Sequence, residues 1–390
     1  MLTFKSFTGI NNVVPSHRLK QTELAVATNV DIGLTGELKR RSGYSSVLAA
    51  CHKNLWQADG FMLATVEGND LKAFVPGGSY TTVSAALGPL RVWYCNLPDG
   101  RTTFSNGLIN GITAGGAAVS WGVPIPASLG AAANVAGSLF AGDYQYQLTH
   151  VRLSDGLESG PLYSNPIPIS SGGIALTGLP VLAGHKTNVY LTGANGGQGY
   201  LAGSTVTSSF SYTGANDALV LPCRTDYLSP APVGTVTAFW RGRVLVAVGP
   251  VLWASMAGRW QHFNLRRDFK QFSANITLIQ PVDNGVFIGT EEELCFLSGT
   301  EFDKLSYVRV VNGRTVLGSG VAVRGELIKQ REGGGLGNAM ICIADGVIVA
   351  GFSDGQIVRM TEGVYTTGVT EVAATFRMVN RVPQYIAVPQ

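Results

Sequence analysis

Ten Asp-Gly or Asn-Gly dipeptides punctuate the 390 residues of this chain. An Asx-Gly pair between alternating apolar runs is a strong hairpin signal, because a two-residue turn needs the positive φ that these residues tolerate. The clearest copies are Trp56-Gln-Ala-Asp-Gly60-Phe-Met-Leu-Ala64, running on to Gly68 and Leu71, and Ile343-Ala-Asp-Gly346-Val-Ile-Val-Ala350, running on to Gly355 and Ile357. Gly60 and Gly100, and again Gly242 and Gly285, are separated by about 40 residues, close to the roughly 40–50 residues of a four-stranded propeller blade. The step from Gly285 to Gly346 is longer because it takes in Gly313, Gly318, Gly320 and a glycine run at 333–337. The pattern lapses near residue 134 and resumes near residue 233.

These spacings predict an all-β fold: a β-propeller of five to seven blades with an inserted β-sandwich. Residues 1–133 form the N-terminal part of the propeller, 134–222 the insert and 223–390 the C-terminal part. Five blades show recognisable hairpins, and a further one needs strands from both termini, the usual way of closing such a ring. Within the insert, Gly142-Asp-Tyr144-Gln-Tyr146-Gln-Leu148-Thr-His150-Val151 alternates, with Tyr144, Tyr146 and Leu148 on one face. Six or seven short strands in about 90 residues suit a two-sheet sandwich. Its size, the Gly-x-Tyr-x-Tyr opening strand and the late Val189-Tyr190-Leu191 strand resemble a fibronectin type III-like domain, although the tryptophan usual in that family's second strand is absent. Near the N-terminus, Thr22-Glu-Leu-Ala-Val-Ala-Thr28 carries a short helical pattern. Two short strands around Thr35-Gly36 are expected to follow it.

Composition narrows the function class. Charged residues make up only 14% of the chain, against roughly 25% for an average soluble domain. Such a neutral polar surface fits a subunit that hides much of its outside against neighbours, and fits a secreted β protein equally. The net charge is +3, so a chain-wide nucleic-acid footprint is absent. The 19 arginines outnumber the 9 lysines, and arginine is preferred where a forked donor meets carboxylate or phosphate. Interface salt bridges are the simpler use for them. Five widely spaced cysteines among apolar strand residues read as buried thiols made in a reducing compartment. The N-terminus has no basic region followed by an apolar core, so no secretory signal is expected. Nor does any stretch approach the roughly 18 apolar residues that span a bilayer.

A search for chemistry finds little. No Gly-x-Ser-x-Gly elbow, His-Glu-x-x-His, phosphate loop or Cys-x-x-Cys pair is present. The five histidines lie far apart in sequence and read as surface or strand residues. The 333–337 run follows a charged stretch with no strand leading into it, unlike a dinucleotide fingerprint, and reads as a loop. Ser353-Asp354-Gly355 reads as a hairpin turn, and Glu291-Glu292-Glu293 as a solvated hairpin tip. Catalytic, cofactor and metal sites are therefore all expected to be absent. The densest basic segment is Arg266-Arg267-Asp268-Phe269-Lys270, and a second basic pair is Arg40-Arg41.

Three stretches together resemble the tail nozzle proteins of short-tailed bacteriophages, also called tail tubular or packaged-DNA stabilisation proteins. The first is Phe7-Thr-Gly9-Ile-Asn-Asn12 with Ala-Thr28-Asn-Val-Asp31 and Arg40-Arg41-Ser-Gly43-Tyr44. The second runs from Phe239-Trp240-Arg-Gly242 through Leu252-Trp-Ala-Ser255 to His262-Phe263. The third is Ile276 to Gly299. The resemblance covers roughly 300 residues of the chain, leaving the sandwich as an insertion. It implies a structural virion protein, not an enzyme, forming a homo-oligomeric ring, expected to be a hexamer, below the portal and adaptor. The ring would surround the DNA exit channel and help retain and release the genome. Implied partners are the portal or adaptor protein, tail fibre, spike or needle proteins, and packaged double-stranded DNA, with no cofactor and no membrane anchoring. The implied location is the virion tail, assembled in the bacterial host cytoplasm. Arg40, Arg41, Arg266, Arg267 and Lys270 become candidates for the channel or a subunit interface. The competing expectation is a carbohydrate-active or glycan-binding propeller, which requires paired acids on one face.

Overall fold

Hairpins follow the Asx-Gly punctuation through a computed structural model that describes residues 6–33, 35–43, 45–46, 49–170, 172–328, 335–379 and 382–390. Tyr44 and residues 333–334 of the expected glycine run fall outside these. The first sheet runs His52–Gln57, Met62–Val66, Asp70–Phe74 and Thr81–Ser84 as an antiparallel meander. The second holds Trp93–Asn96, Thr102–Ser105 and Asn110–Thr113, extended by a bridge from Ile112 to Val119. The third holds Thr237–Trp240, Arg243–Val248 and Val251–Met256, with Arg259–Phe263 and Phe269–Gln271 sharing its outer edge. The fourth is Ile276–Val282, Gly285–Thr290, Glu293–Ser298 and Ser306–Asn312. The fifth is Val321–Arg324, Asn338–Ala344, Val347–Gly351 and Ile357–Arg359. A ribbon of Val372–Val379 and Val382–Pro389 ends the chain. The protein is all-β, built of propeller blades interrupted by a β-sandwich.

Apolar clusters lie between successive blades. Leu63 and Leu71 of the first meet Tyr94 and Phe104 of the second. Cys95 and Ile112 of the second meet Val244 and Val246 of the third, with Trp121 and Phe263 at the same joint. Leu245 and Leu252 meet Val286 and Ile288 of the fourth, and Phe287 and Leu294 meet Met340 and Cys342 of the fifth. The central strands therefore alternate their side chains between two joints rather than between core and water, which is why they are apolar throughout. Gly285 shows the cost of such packing. A Cβ there would lie 2.3 Å from the Leu297 carbonyl oxygen and 2.6 Å from the Phe296 ring, so this glycine serves close packing, whereas Gly60 and Gly346 serve turns at φ 79° and 72°.

The termini depart from the expected closure. Among the described residues no N-terminal strand pairs with the C-terminal ribbon. Gly9–Ile10 pairs with Glu23–Leu24, and Val30–Ile32 with Leu38–Arg40. The two ends meet instead through Asn12, whose Nδ2 donates to the Thr366 carbonyl at 2.7 Å while its Oδ1 accepts from the Thr366 N–H at 2.9 Å. The helical pattern at 22–28 does not become a helix, since Glu23 and Leu24 are in a strand. Two turns of amphipathic pattern cannot meet the cost of helix nucleation when backbone pairing is on offer. No helix among the described residues is long and apolar enough to cross a membrane.

Between the second and third blades lie two larger sheets and a short two-stranded one, Gly142–Tyr144 with Ile167–Ile169. Of the larger two, one orders Ala131–Ala136, Gly172–Thr177 and Ser209–Tyr212, and the other orders Leu162–Tyr163, Tyr146–Arg152, His185–Thr192 and Gly199–Thr205. Their facing residues bury one core that includes Tyr144, Tyr146, Leu148, Ile174, Leu176 and Val189. The expected boundary at 134 falls inside the strand Ala131–Ala136, so pairing carries the sandwich back to Ala131. Its alanines and single valine lacked the pattern that would have marked it.

Candidate functional site

The five cations singled out by sequence fall into two groups. Arg40 ends the strand Leu38–Arg40, opposite Val30, and Arg41 follows it. The intervening turn is made by Gly36 at φ 82°. Arg41 Nε lies 2.8 Å from Asp31 Oδ1, and both side chains are exposed, so the pair contributes about 1 kcal/mol or less. With Asn29, Ser42 and Gly43, the two arginines line an open cleft of about 540 Å³.

The other three occupy the outer edge of the third blade. Arg266 and Arg267 lie in the turn after Arg259–Phe263, and Lys270 is in Phe269–Gln271. The Arg266 guanidinium sits 5.1 Å from the Tyr227 ring centroid, and Tyr227 stacks on Tyr163 at 5.9 Å. Arg267 Nε is 2.9 Å from the buried Asp268, which Arg243 also approaches at 3.7 Å. Lys270 Nζ donates to the Asp303 carbonyl at 3.1 Å and lies 5.9 Å from the Phe302 ring. The opening strands of the second to fifth blades lie side by side at the inner end of the sheets. These cations are at the opposite, outer end. Among the described residues nothing joins them to Arg40 and Arg41.

Near this edge, exposed apolar side chains that sequence inspection missed are scattered over the outer ends of three blades. The last strands of three consecutive blades present Phe269, then Tyr307 and Val308, then Val358, with Met360 just past the end of the last strand, all exposed. Alternation was visible in each strand, but which strand lies outermost is set by the order of the meander. The acid run also differs from expectation. Glu291 and Glu292 are at the turn, but Glu293 is buried, accepting from the Tyr307 hydroxyl at 2.6 Å and paired with Arg309. Ser353-Asp354-Gly355 does form a turn, with Gly355 at φ 86°.

Cys95, Cys295 and Cys342 are buried, and burial pushes each thiol up to about 12. Such thiols are poor nucleophiles at neutral pH. Cys51 is exposed. His150 and His185, far apart in sequence, face each other across paired strands at 6.3 Å between rings. Among the described residues no group of three His, Cys, Asp or Glu is placed to hold a metal ion.

No family model matches the chain, and no curated protein matches it. Among solved structures it is similar to a streptogramin B lyase, at 10% identity and TM-score 0.33, covering 87% of this chain and 95% of that one. It is also similar to the Neurospora crassa Pan2 WD40 domain, at 9% identity and TM-score 0.33, covering 87% of each. The Dos1 propeller matches at 10% identity and TM-score 0.33, over 92% of this chain and 78% of that one. The blades and their joints described above, rather than these distant likenesses, establish the architecture.

His262 ties the third blade to the sandwich, its Nε2 lying 2.7 Å from the Glu158 carbonyl oxygen. Burial holds its pKa below the ordinary 6.5, outweighing the upward pull of the Glu158 carbonyl hydrogen bond, with the Arg259 charge as a lesser lowering influence. The folded state thus binds fewer protons than the unfolded chain, so stability is fully present above pH 6.5 and lost as pH falls through the lower folded value. Urea midpoints measured from pH 7.5 down to 5 should decline for the parent and decline less for His262→Gln, which keeps a donor but cannot titrate. Equal slopes would remove His262 from the account.

Proposed function

We propose that this chain is a structural virion protein, a ring-forming tail nozzle subunit of a short-tailed bacteriophage, whose inserted sandwich is fibronectin type III-like. The observation that carries the reading is the set of exposed apolar side chains, Phe269, Tyr307, Val308, Val358 and Met360, on or beside the outer strands of the third, fourth and fifth blades, which also carry Lys270 and Arg309. An exposed strand edge bearing large apolar side chains is a liability for a free monomer and is normally covered. In a ring, each wedge-shaped subunit buries such an edge against its neighbour through a heterologous contact that closes. Low charge over the rest of the surface supports the same reading. The partners would be other copies of this chain, a portal or adaptor protein, tail fibre, spike or needle proteins, and double-stranded DNA in the channel. DNA carries one charge per about 1.7 Å of axis, so a few cations per subunit, multiplied around a ring, weigh on genome retention.

Electron microscopy of the purified protein, alone and with a portal complex, tests this. Six-fold rings are expected, whereas monomers with glycosidase activity would defeat the assignment. Val308→Asp should abolish rings while leaving the monomer's thermal midpoint within about 2 °C, since surface changes are usually within about 0.5 kcal/mol. Charge reversal of Arg40, Arg41, Arg266, Arg267 and Lys270 should weaken assembly or genome retention. DNA-filled particles at full titre would remove those residues from the role.

A further inference from the structure

Four separate segments converge on a cleft of about 400 Å³ where the sandwich meets the second and third blades. Asp99 and Arg101 come from the first hairpin of the second blade and Glu158 from the sandwich. Arg224 lies on the returning linker, and Arg259, Gln261 and His262 are on the third blade's outer strand. The volume lies within the roughly 300–1,000 Å³ of small-ligand sites.

The charges in this cleft do not cancel locally. Arg101 is held by Asp99 at 2.6 Å. The Glu158 carboxylate is engaged by Asn188 Nδ2 at 2.9 Å, the Tyr190 hydroxyl at 2.7 Å and Thr149, all on one oxygen. Both acids are thus committed to neighbours. The side chains of Arg224 and Arg259 have no ion pair or hydrogen bond among the described residues, so two forked, permanently charged donors face the cleft unpaired. Gln261 adds a second sign of a missing partner. It is only 7% exposed, and its Nε2 is a buried donor with no acceptor among the described residues, which is costly unless something supplies one.

We propose that this junction cleft binds an oxyanion, a carboxylate or phosphate group of a small ligand, with Arg224 and Arg259 as its charged donors. Guanidinium forks match both groups in bidentate geometry. The site shares no lining residue with the Arg40 and Arg41 cleft and does not depend on the ring assignment.

Isothermal titration of the whole protein with sodium phosphate and with citrate, at fixed ionic strength, tests it. Saturable one-to-one binding of at least one anion is expected, weakened about tenfold or more in each of Arg224→Ala and Arg259→Ala. Both side chains are exposed, so the variants should keep the parent's urea midpoint. Preference for phosphate assigns the site to phosphoryl ligands and preference for citrate to carboxylates. No saturable binding, or binding that falls in Arg40→Ala/Arg41→Ala and persists in Arg224→Ala/Arg259→Ala, would overturn the proposal.

Discussion

Trp121→Ala should cost about 3–5 kcal/mol, the range for emptying a large buried aromatic site. Trp121 is the largest fully buried side chain, 1% exposed, at the joint between the second and third blades. Its ring meets Phe263 edge-on at 6.0 Å, and its Nε1 donates to the Trp260 carbonyl at 2.9 Å. The neighbouring backbone is committed too, since Ala231 N–H donates to the Trp121 carbonyl at 3.1 Å. The cavity therefore opens where the chain leaves the propeller for the sandwich and returns, and strands pinned on both sides cannot collapse into it. Urea denaturation followed by circular dichroism gives the comparison. Trp121→Phe separates the two contributions: it keeps most of the ring but strands the Trp260 carbonyl, and should lose about 1–3 kcal/mol. A Trp121→Ala loss under about 1 kcal/mol would mean that the joint relaxes freely.

How much of this was legible in the sequence depended on range. Asp59-Gly60, Asp345-Gly346 and Asp354-Gly355 marked real turns because φ is set by the residue itself and its immediate neighbours. Tyr144, Tyr146 and Leu148 share the sandwich core as their alternation required. Local rules failed where a distant partner decided the outcome. Leu24 joined a strand because Ile10 offered it a backbone partner, and Glu293 was drawn inside by Tyr307 and Arg309 on the adjacent strand. The cations show the same limit. Their clustering was plain, yet the stack of Arg266 on Tyr227 joins the third blade's outer turn to the return linker, and no spacing rule reports it. The junction cleft was invisible for the same reason, since its lining residues come from four separate segments spread between Asp99 and His262.

Gly160→Ala should lose about 3 kcal/mol, the upper part of the usual overpacking range, and should loosen the sandwich from the propeller. Gly160 is buried beside the return linker, where a Cβ would lie 1.6 Å from the Leu228 carbonyl oxygen and 2.7 Å from its carbon. Neither atom belongs to a flexible side chain. The linker cannot retreat cheaply, because Leu228 is itself buried and Ser229 exchanges both backbone hydrogen bonds with Phe263, at 2.8 and 2.9 Å. Separating Gly160 from Leu228 therefore pulls either on the third blade or on Ser159 and Glu158, whose carbonyl receives His262. Gly156→Ala in the same connection is the control. It sits at φ 70° with nothing within 4 Å of the added carbon, so it should cost only the left-handed penalty of about 1–2 kcal/mol. Limited proteolysis of Gly160→Ala should cut the 223–233 linker faster than in the parent or in Gly156→Ala, because opening this contact exposes backbone that the parent keeps bonded. Equal costs for the two alanines, with unchanged cleavage, would show that the linker yields and that the sandwich is not held through this contact.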